Sequence, residues 1–335
     1  GDLSPVEQDR AIAPSPAGRR KVVLATSIAE TSLTIEGVRI VIDGGLMRVP
    51  RFSPRSGMTR LETVRVSQAS ADQRRGRAGR LEPGVCYRLW TEETQRGLLP
   101  FTPPEILDAD LAPLALELAA WGVADAASLP WLTPPPSASL ATARALLADL
   151  GAIDQAGAIT AHGRAMARLG QHSRLAHLVL KGRDMGQGRV AALLVAILGE
   201  RDFLRLPPGQ RDADLRHRVD IALSGKRDGT LRLIQEAARR LTQNQASRET
   251  PDISMTGALL ALAYPDRIGR RRAGTAGRYL LSGGRGAALP EGDPMGNEEF
   301  LVVAETDGST QDSRIFLAAP TTAVEIEELY AERIV

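Results

Sequence analysis

The sequence predicts a chain that is α/β at its start, mostly helical in its middle and β-rich at its end. The first part of this prediction rests on two apolar runs, KVVLA at residues 21–25 and VRIVIDGG at residues 38–45, which flank a hydroxyl-rich loop. Continuous apolar runs of this length are typical of buried parallel strands. GVCYRLWT at residues 84–91 predicts a third strand, so a partial parallel sheet is expected here.

The rest of the chain changes pattern twice. Two helical stretches within residues 104–150, followed by the short segment GAIDQAGAIT, predict a winged helix. Helical periodicity then continues to about Leu241, with a break at the Pro-Pro-Gly of residues 207–209. GRYLLSGGRGAAL, EFLVVAETD and SRIFLAAPT predict short strands joined by glycine-rich turns. The predicted domains are residues 1–98, 99–160, 161–248 and 249–335.

Composition narrows the class of protein. A chain of 335 residues that is 43% hydrophobic suits two or three packed domains, and a net charge of +2 identifies no partner. Nearly all of its cations are arginine, whose planar guanidinium suits phosphate. The one cysteine, Cys86, allows no disulfide within the chain, and no signal-peptide or membrane-spanning pattern occurs. These features predict a cytoplasmic protein with no membrane partner.

The stretch QRRGRAGR at residues 73–80 is locally unfavourable. It contains four arginines, and each of its two glycines costs about 1 kcal/mol in a helix relative to alanine. Ser70 lies three residues before Gln73, which is the spacing of a capping box and predicts a helix that begins at Ser70. Arginines three residues apart share one helix face. Without other context, a solvated basic helix end would explain this stretch.

QRRGRAGR resembles motif VI of superfamily 2 helicases, in the QRxGRxGR form of the DEAH-box group. In that family the second RecA-like domain presents this motif to ATP that is bound on the first. The resemblance implies that Gln73 positions the attacking water, and that Arg77 and Arg80 are the catalytic fingers at the γ-phosphate. A fixed guanidinium suits this role because phosphoryl transfer spreads negative charge over the γ-oxygens. The implied cofactors are ATP and Mg²⁺, with the metal held mainly by the first domain.

ATSIAETSLTIEGVRIVIDGG at residues 25–45 looks like motif V of the same family. The hydroxyls of Thr26, Ser27 and Thr31 follow a predicted strand and suit a nucleic-acid phosphate. Taken alone, they would fit a simple Ser/Thr turn cap equally well. The resemblance implies that Glu36 faces the nucleotide ribose or a metal-bound water, where many relatives carry the shorter aspartate.

The segment between these motifs is rich in arginine and predicts a basic β-hairpin that turns at Ser56-Gly57. Its role in the family is to project over a nucleic-acid path, and a merely solvated hairpin is the alternative. The arginines expected to contact nucleic acid are Arg48, Arg51, Arg55 and Arg60. Further cations for the phosphate backbone are expected from Arg267, Arg270, Arg271 and Arg272.

The resemblance covers nearly the whole chain. PEILDADLAPLALELAAWGV and ITAHGRAMARLG resemble the winged-helix and helical-bundle regions of DEAH helicases, and LLALAYPDRIGRRR resembles the C-terminal part of bacterial HrpB-type members. The chain contains neither a G-x-x-x-x-G-K-[ST] phosphate loop nor D-E-A-H. The first RecA-like domain is therefore expected to precede it in cis, and this chain alone is expected not to hydrolyse ATP. Ile12 falls where many relatives place an adenine-stacking phenylalanine, so adenine selectivity is not implied.

Two functions follow as hypotheses. The first is part of an ATP-dependent helicase that moves along single-stranded RNA or DNA. The alternative is a non-catalytic nucleic-acid-binding or protein-interaction module that is derived from a helicase.

A metal site is not expected, since His162, His172, His177 and His217 show no metal-binding spacing with Cys86. Asp108 and Asp110 are interpreted as helix-start charges.

Overall fold

The computed structural model places two structural units along the chain, residues 1–52 with 59–109 and residues 53–58 with 110–335. The described residues are 5–16, 18–31, 35–53, 58–80, 82–200, 202–204, 206–207, 211–225, 229–242, 250–308 and 312–333. The predicted order of α/β, then helical, then β structure is confirmed.

The first unit contains a small two-stranded parallel sheet. The elements up to residue 96 are α1 (Pro5–Ile12), α2 (Ile28–Thr31), β1 (Ile40–Asp43), β2 (Leu46–Ser53), β3 (Met58–Arg65), α3 (Gln68–Ala78), β4 (Val85–Arg88) and α4 (Glu92–Arg96). β1 and β4 pair in parallel, from Ile40 opposite Val85 to Asp43 opposite Arg88. β2 and β3 form a separate two-stranded sheet, as predicted for the basic hairpin. The predicted turn at Ser56-Gly57 lies outside the described residues.

The strand predicted at residues 21–25 is wrong. Those residues have no strand structure, whereas the other two predicted strands occur as β1 and β4. Val22 is 87% exposed and Leu24 is 96% exposed, so the apolar run is not covered by other side chains. A strand also needs a neighbour for its backbone hydrogen bonds. Within the described part of the chain, β1 and β4 pair only with each other.

α3 begins earlier than the capping-box pattern predicts. Its N-cap is Ser67, whose Oγ accepts a hydrogen bond from the Ser70 backbone N–H at 3.1 Å. Ser70 is therefore the third residue of the helix, and the prediction that the helix starts there is wrong. The Gln68 N–H donates to the Leu99 carbonyl at 2.8 Å, which satisfies another first-turn donor. α3 continues through Gly76.

One glycine in the first unit is required for close packing. A Cβ atom at Gly84 would lie 2.0 Å from the carbonyl oxygen of Ala78, the last residue of α3. β4 begins at the next residue, so the absence of a side chain at Gly84 lets the end of α3 approach the start of β4.

The second unit begins with helices. They are α5 (Ala112–Ala120), α6 (Ser137–Asp149), α7 (Ala161–Arg168), α8 (Ser173–Asp184), α9 (Gly188–Gly199), α10 (Leu215–Leu223), α11 (Gly229–Leu241) and α12 (Thr256–Ala263). After α6, Ile153 and Ile159 form an isolated antiparallel bridge where the wing is predicted. α9 is central, because every residue from 190 to 197 is buried.

The C-terminal strands close into a small barrel. They are β5 (Ile268–Arg271), β6 (Arg278–Leu281), β7 (Gly286–Ala288), β8 (Phe300–Thr306) and β9 (Asp312–Thr321), followed by α13 (Ala323–Tyr330). The strand order around the barrel is β5-β6-β7-β9-β8. Tyr279 is fully buried inside, and its hydroxyl oxygen lies 2.8 Å and 3.0 Å from the carbonyl oxygens of Met295 and Glu298, which share its one proton. None of the helices in the described ranges combines the length and apolar character needed to cross a membrane.

Candidate functional site

A cleft of about 500 Å³ in the first unit is lined by residues from both motifs, the arginine-rich one at residues 73–80 and the hydroxyl-rich one at residues 25–45. It is bounded by α3, by β1 and by the segment that precedes β1. Among the predicted site residues, the cleft is lined by Thr26, Ser27, Glu36, Arg77 and Arg80. Residues some forty positions apart in the sequence therefore face one space.

Arg74 lies at the base of this cleft in a buried ion cluster. Its Nε donates to Glu30 Oε2 at 3.1 Å, and its Nη1 donates to Asp43 Oδ1 at 2.9 Å. The side chains of Arg74, Glu30 and Asp43 are only 17%, 11% and 1% exposed. Nη1 also lies 3.2 Å from the Leu46 carbonyl. One guanidinium shared between two carboxylates leaves this cluster with a net charge of −1, and Asp43 Oδ2 is buried without a hydrogen-bond partner among the described residues, so Arg74 offsets only part of the cost of burying these charges.

Arg77 is held by the backbone of Glu30, the residue whose carboxylate pairs with Arg74. Its Nε donates to the Glu30 carbonyl at 2.9 Å, and its Nη2 donates to the same oxygen. Glu30 lies in the last turn of the short helix α2, where carbonyls lack partners within the helix. Glu30 thus holds two arginines of α3, one through its carboxylate and one through its carbonyl.

The other residues of the predicted nucleotide site are exposed. Gln73 and Arg80 lie at the surface of the first unit, and Arg80 lines the cleft whereas Gln73 does not. Glu36 is exposed on a turn that Gly37 completes with φ +77°, a conformation that favours glycine. In the described part of the chain, the cleft as a whole is lined by four arginines and four carboxylates, namely Arg39, Arg74, Arg77 and Arg80 with Glu30, Glu36, Asp43 and Glu82.

The hydroxyl residues precede and enter α2. Thr26 and Ser27 are exposed, and their carbonyls accept from the N–H groups of Ala29 at 3.2 Å and Glu30 at 2.9 Å. These backbone bonds start α2 and leave its first turn facing the cleft. The side chain of Thr31 lies outside the described residues.

The hairpin arginines differ in their surroundings. Arg48 is exposed. Arg51 lies 3.1 Å from a carboxylate oxygen of Glu62 and 3.5 Å from one of Asp108, so two acidic groups share its charge. Arg55 and the side chain of Arg60 lie outside the described residues.

The second predicted set of cations is partly wrong. Arg267 is only 8% exposed, its guanidinium lies 4.3 Å from the Tyr264 ring centroid, and its Nη1 donates to the Ala304 carbonyl. Burial lowers the pKa of Arg267, and this side chain cannot present its charge to a phosphate. Arg270 is exposed. Arg272 is 3.5 Å from Asp312.

The histidines and Asp110 have structural contacts. Asp108 instead follows the short 3-10 helix Glu105–Leu107 as its C-cap, so the prediction that it is a helix-start charge is wrong. His162 Nε2 lies 2.9 Å from His177 Nδ1, and burial lowers the pKa of His177 to about 3. Asp110 Oδ1 accepts from the Ala112 N–H at the start of α5, as predicted, and its Oδ2 lies 3.0 Å from His172 Nε2. His217 Nδ1 lies 2.7 Å from an Asp212 carboxylate oxygen. Over the described ranges, no His, Cys, Asp and Glu side chains group as a metal would require.

Sequence reasoning missed Arg74, Glu30 and Asp43. Arg74 shares the three-residue spacing of Arg77 and Arg80, and the sequence does not show which of these arginines is buried. Asp43 follows an apolar run and precedes two glycines. This position, at the end of a predicted strand, is the one sequence signal that indicates a buried carboxylate.

Comparison with known proteins gives consistent matches. Residues 1–82 match the helicase conserved C-terminal domain. The chain is 43% identical over 331 residues to the ATP-dependent RNA helicase HrpB of Escherichia coli K12, covering 98% of this chain and 39% of that protein. It is 40% identical over 222 residues to the ATP-dependent RNA helicase HrpA of the same organism, covering 64% of this chain and 17% of that protein.

Solved structures give the same correspondence. The crystal structure of the E. coli DExH-box NTPase HrpB matches with a TM-score of 0.83 and 40% identity, covering 99% of this chain and 40% of that one. The chain therefore spans about two fifths of the length of HrpB.

Proposed function

We infer that this chain, which belongs to the HrpB-like DEAH/RHA helicases as a C-terminal region, supplies one side of an ATP-hydrolysing site. The observation that carries this proposal is the cleft that Arg77, Arg80 and Glu36 line together. ATP would lie against this face, with its γ-phosphate toward the two arginines. Glu36 would face the ribose or a metal-bound water.

The donor set fits a triphosphate better than it fits a metal ion. Two guanidiniums on one cleft can stabilise negative charge that develops on the γ-oxygens. In the described ranges no group of side chains is arranged to hold a metal. Mg²⁺ would be held mainly by a first RecA-like domain, where it would neutralise phosphate charge. Gln73, exposed on α3, would orient the attacking water.

The nucleic-acid path is proposed to follow the hydroxyls of Thr26, Ser27 and Thr31 and the arginines of the β2–β3 hairpin. Thr26 and Ser27 are exposed beside α2, and Arg48 is exposed on β2. Hydroxyls and arginines of this kind contact the phosphate backbone without reading the bases. The relatives HrpB and HrpA are described as RNA helicases, which favours single-stranded RNA over DNA as the substrate.

The domain organisation proposed with this function keeps the predicted boundaries. Residues 1–98 would be most of the second RecA-like domain, which the parallel pairing of β1 with β4 supports. Residues 99–160 would be a winged helix, supported by α5, α6 and the bridge from Ile153 to Ile159. Residues 161–248 would form the ratchet-like bundle, and residues 249–335 the HrpB-type C-terminal domain that contains the barrel.

The proposed function is tested by ATP hydrolysis and strand separation in the full-length protein. RNA and DNA duplexes with single-stranded extensions are compared, with ATP and with a non-hydrolysable analogue. We expect separation that requires ATP hydrolysis and that is faster on RNA. Binding of nucleic acid without ATP-dependent separation would support the alternative, a non-catalytic binding module.

A further inference from the structure

We propose that Arg74 is a positioning residue, which orients Arg77 through Glu30. This inference rests on the proposed function, because the position of Arg77 has a catalytic consequence only if Arg77 acts on ATP. Arg74 itself contacts two carboxylates and a carbonyl of the protein.

The contacts form a continuous chain from the sheet to the proposed finger. Asp43, the last residue of β1, is 1% exposed at its side chain, and its Oδ1 also accepts from the Gly45 N–H at 2.9 Å. Arg74 bridges this fixed carboxylate to the Glu30 carboxylate. The backbone of Glu30 then accepts from Arg77. The position of Arg77 is thus tied to β1 through Arg74 and Glu30.

The bridge depends on the shape of arginine. The Nε and Nη1 atoms of Arg74 point to different carboxylates, so one planar group holds Glu30 and Asp43 at a fixed separation. Lysine would keep the positive charge but offers a single ammonium group in place of the fork. With lysine, Glu30 would lose one side of its anchor, and the carbonyl that holds Arg77 would shift with it. Transition-state stabilisation is sensitive to such shifts, since misplacement by about 1 Å can cost 10²-fold in rate.

The first test compares Arg74→Lys with Arg75→Lys in the full-length protein. Arg75 is the adjacent arginine of the same helix, is exposed, and lies 3.4 Å from Asp72. We expect Arg74→Lys to lower kcat for ATP hydrolysis by roughly 10- to 100-fold. KM for ATP should change little, the melting temperature should fall because the buried carboxylates lose part of their fork, and Arg75→Lys should resemble the parent in kcat, KM and melting temperature. A fall in melting temperature with kcat unchanged would show a structural role only and would overturn the proposal.

A double variant tests the route through Arg77. If Arg74 acts by orienting Arg77, the combined variant Arg74→Lys/Arg77→Ala should be no slower than Arg77→Ala alone. Additive losses would contradict that route. If Arg77→Ala leaves kcat unchanged, the proposed function fails; if Arg77→Ala lowers kcat and Arg74→Lys does not, only the present inference fails.

A second measurement needs no activity and uses this chain. The Nε–H of Arg77, observed by ¹⁵N NMR, should exchange slowly with solvent because it donates to the Glu30 carbonyl. Arg74→Lys and Glu30→Gln should both accelerate this exchange, and Arg75→Lys should not. Glu30→Gln keeps the carbonyl and the shape of the side chain, so it serves where Arg74→Lys does not fold. Unchanged exchange in both variants would overturn the proposal.

Discussion

Acidification should destabilise the second unit through the buried histidine pair. His177 on α8 is 8% exposed, and its Nδ1 lies 2.9 Å from Nε2 of His162 on α7. Burial is the main cause that lowers the pKa of His177 from 6.5 to about 3, and the neighbouring His162 and Lys181 lower it further. Burial likewise lowers the pKa of His162. The folded state therefore keeps His177 neutral over a pH range in which the unfolded chain binds a proton.

The sign and size of the effect follow from proton linkage. Because the unfolded state binds more protons between pH 3 and 6.5, the stability contributed by neutral His177 is complete above about pH 6.5. It is lost as the pH falls from there toward 3. Linkage gives a loss of about 2 kcal/mol between pH 7.5 and pH 5. Asp110 does not add to this loss. Burial, the largest single cause, raises its pKa, but the hydrogen bonds with His172 and the Ala112 N–H and the charges of His172 and Arg174 together outweigh burial and lower the pKa, so its contribution is lost only in stronger acid.

The assay measures the free energy of local opening of α8 by native-state hydrogen exchange in urea, at pH 7.5 and at pH 5. His177→Gln should be less stable than the parent at pH 7.5 but should lose much less stability on acidification. His217→Gln is the matched control, because His217 is exposed beside Asp212. If His177→Gln keeps the full pH dependence of the parent, the buried pair is not its source and the reasoning is refuted.

Two further perturbations have expected outcomes. Gly257→Ala should lower the free energy of unfolding by about 1–3 kcal/mol, because a Cβ there would lie 1.9 Å from the Pro320 carbonyl oxygen and would force the backbone apart. The control is Gly199→Ala, whose added Cβ has no atom within 4 Å. Equal melting temperatures of the two variants would contradict the expected destabilisation. Nucleic-acid affinity should fall steeply with salt, and Arg48→Ala should flatten the slope by about 0.7, the value per single-strand phosphate. Arg51→Ala should flatten it less because Glu62 and Asp108 share that charge, and a loss confined to one oligonucleotide sequence would count against backbone binding.

The sequence predicts elements well where local pattern and tertiary packing agree. β1 and β4 combine apolar runs with a parallel neighbour, and the C-terminal strands alternate with glycine turns that allow closure. β5, α12 and α13 were not predicted. For β5 the reason is that the arginines at 270–272 interrupt the apolar pattern of a strand. The strand predicted at residues 21–25 was wrong because an apolar sequence forms a strand only where a neighbouring strand is available for its backbone hydrogen bonds.

Side-chain roles were harder to predict than elements. Ser67 and Ser70 are both suitable caps, and the choice depends on the segment at residues 99–100, which accepts from the first N–H groups of α3. Arg267 lies in a basic run but is buried against Tyr264, which only the fold determines. The arginines of QRRGRAGR indicated phosphate chemistry, yet the burial of Arg74 depends on carboxylates that are distant in the sequence.

The central claim is that α3 and the turn that follows it present Arg77 and Arg80 to the γ-phosphate of ATP. The most direct test measures kcat for ATP hydrolysis by the full-length protein with Arg80→Ala, beside the exposed neighbour variant Arg75→Ala. We predict that Arg80→Ala lowers kcat by roughly 10³-fold, the range for arginine fingers, with little change in nucleotide affinity. Arg75→Ala should stay within a few-fold of the parent. If the two variants have the same small effect on kcat, Arg80 is a solvated cation on the turn after α3 and the proposed role of these arginines is contradicted.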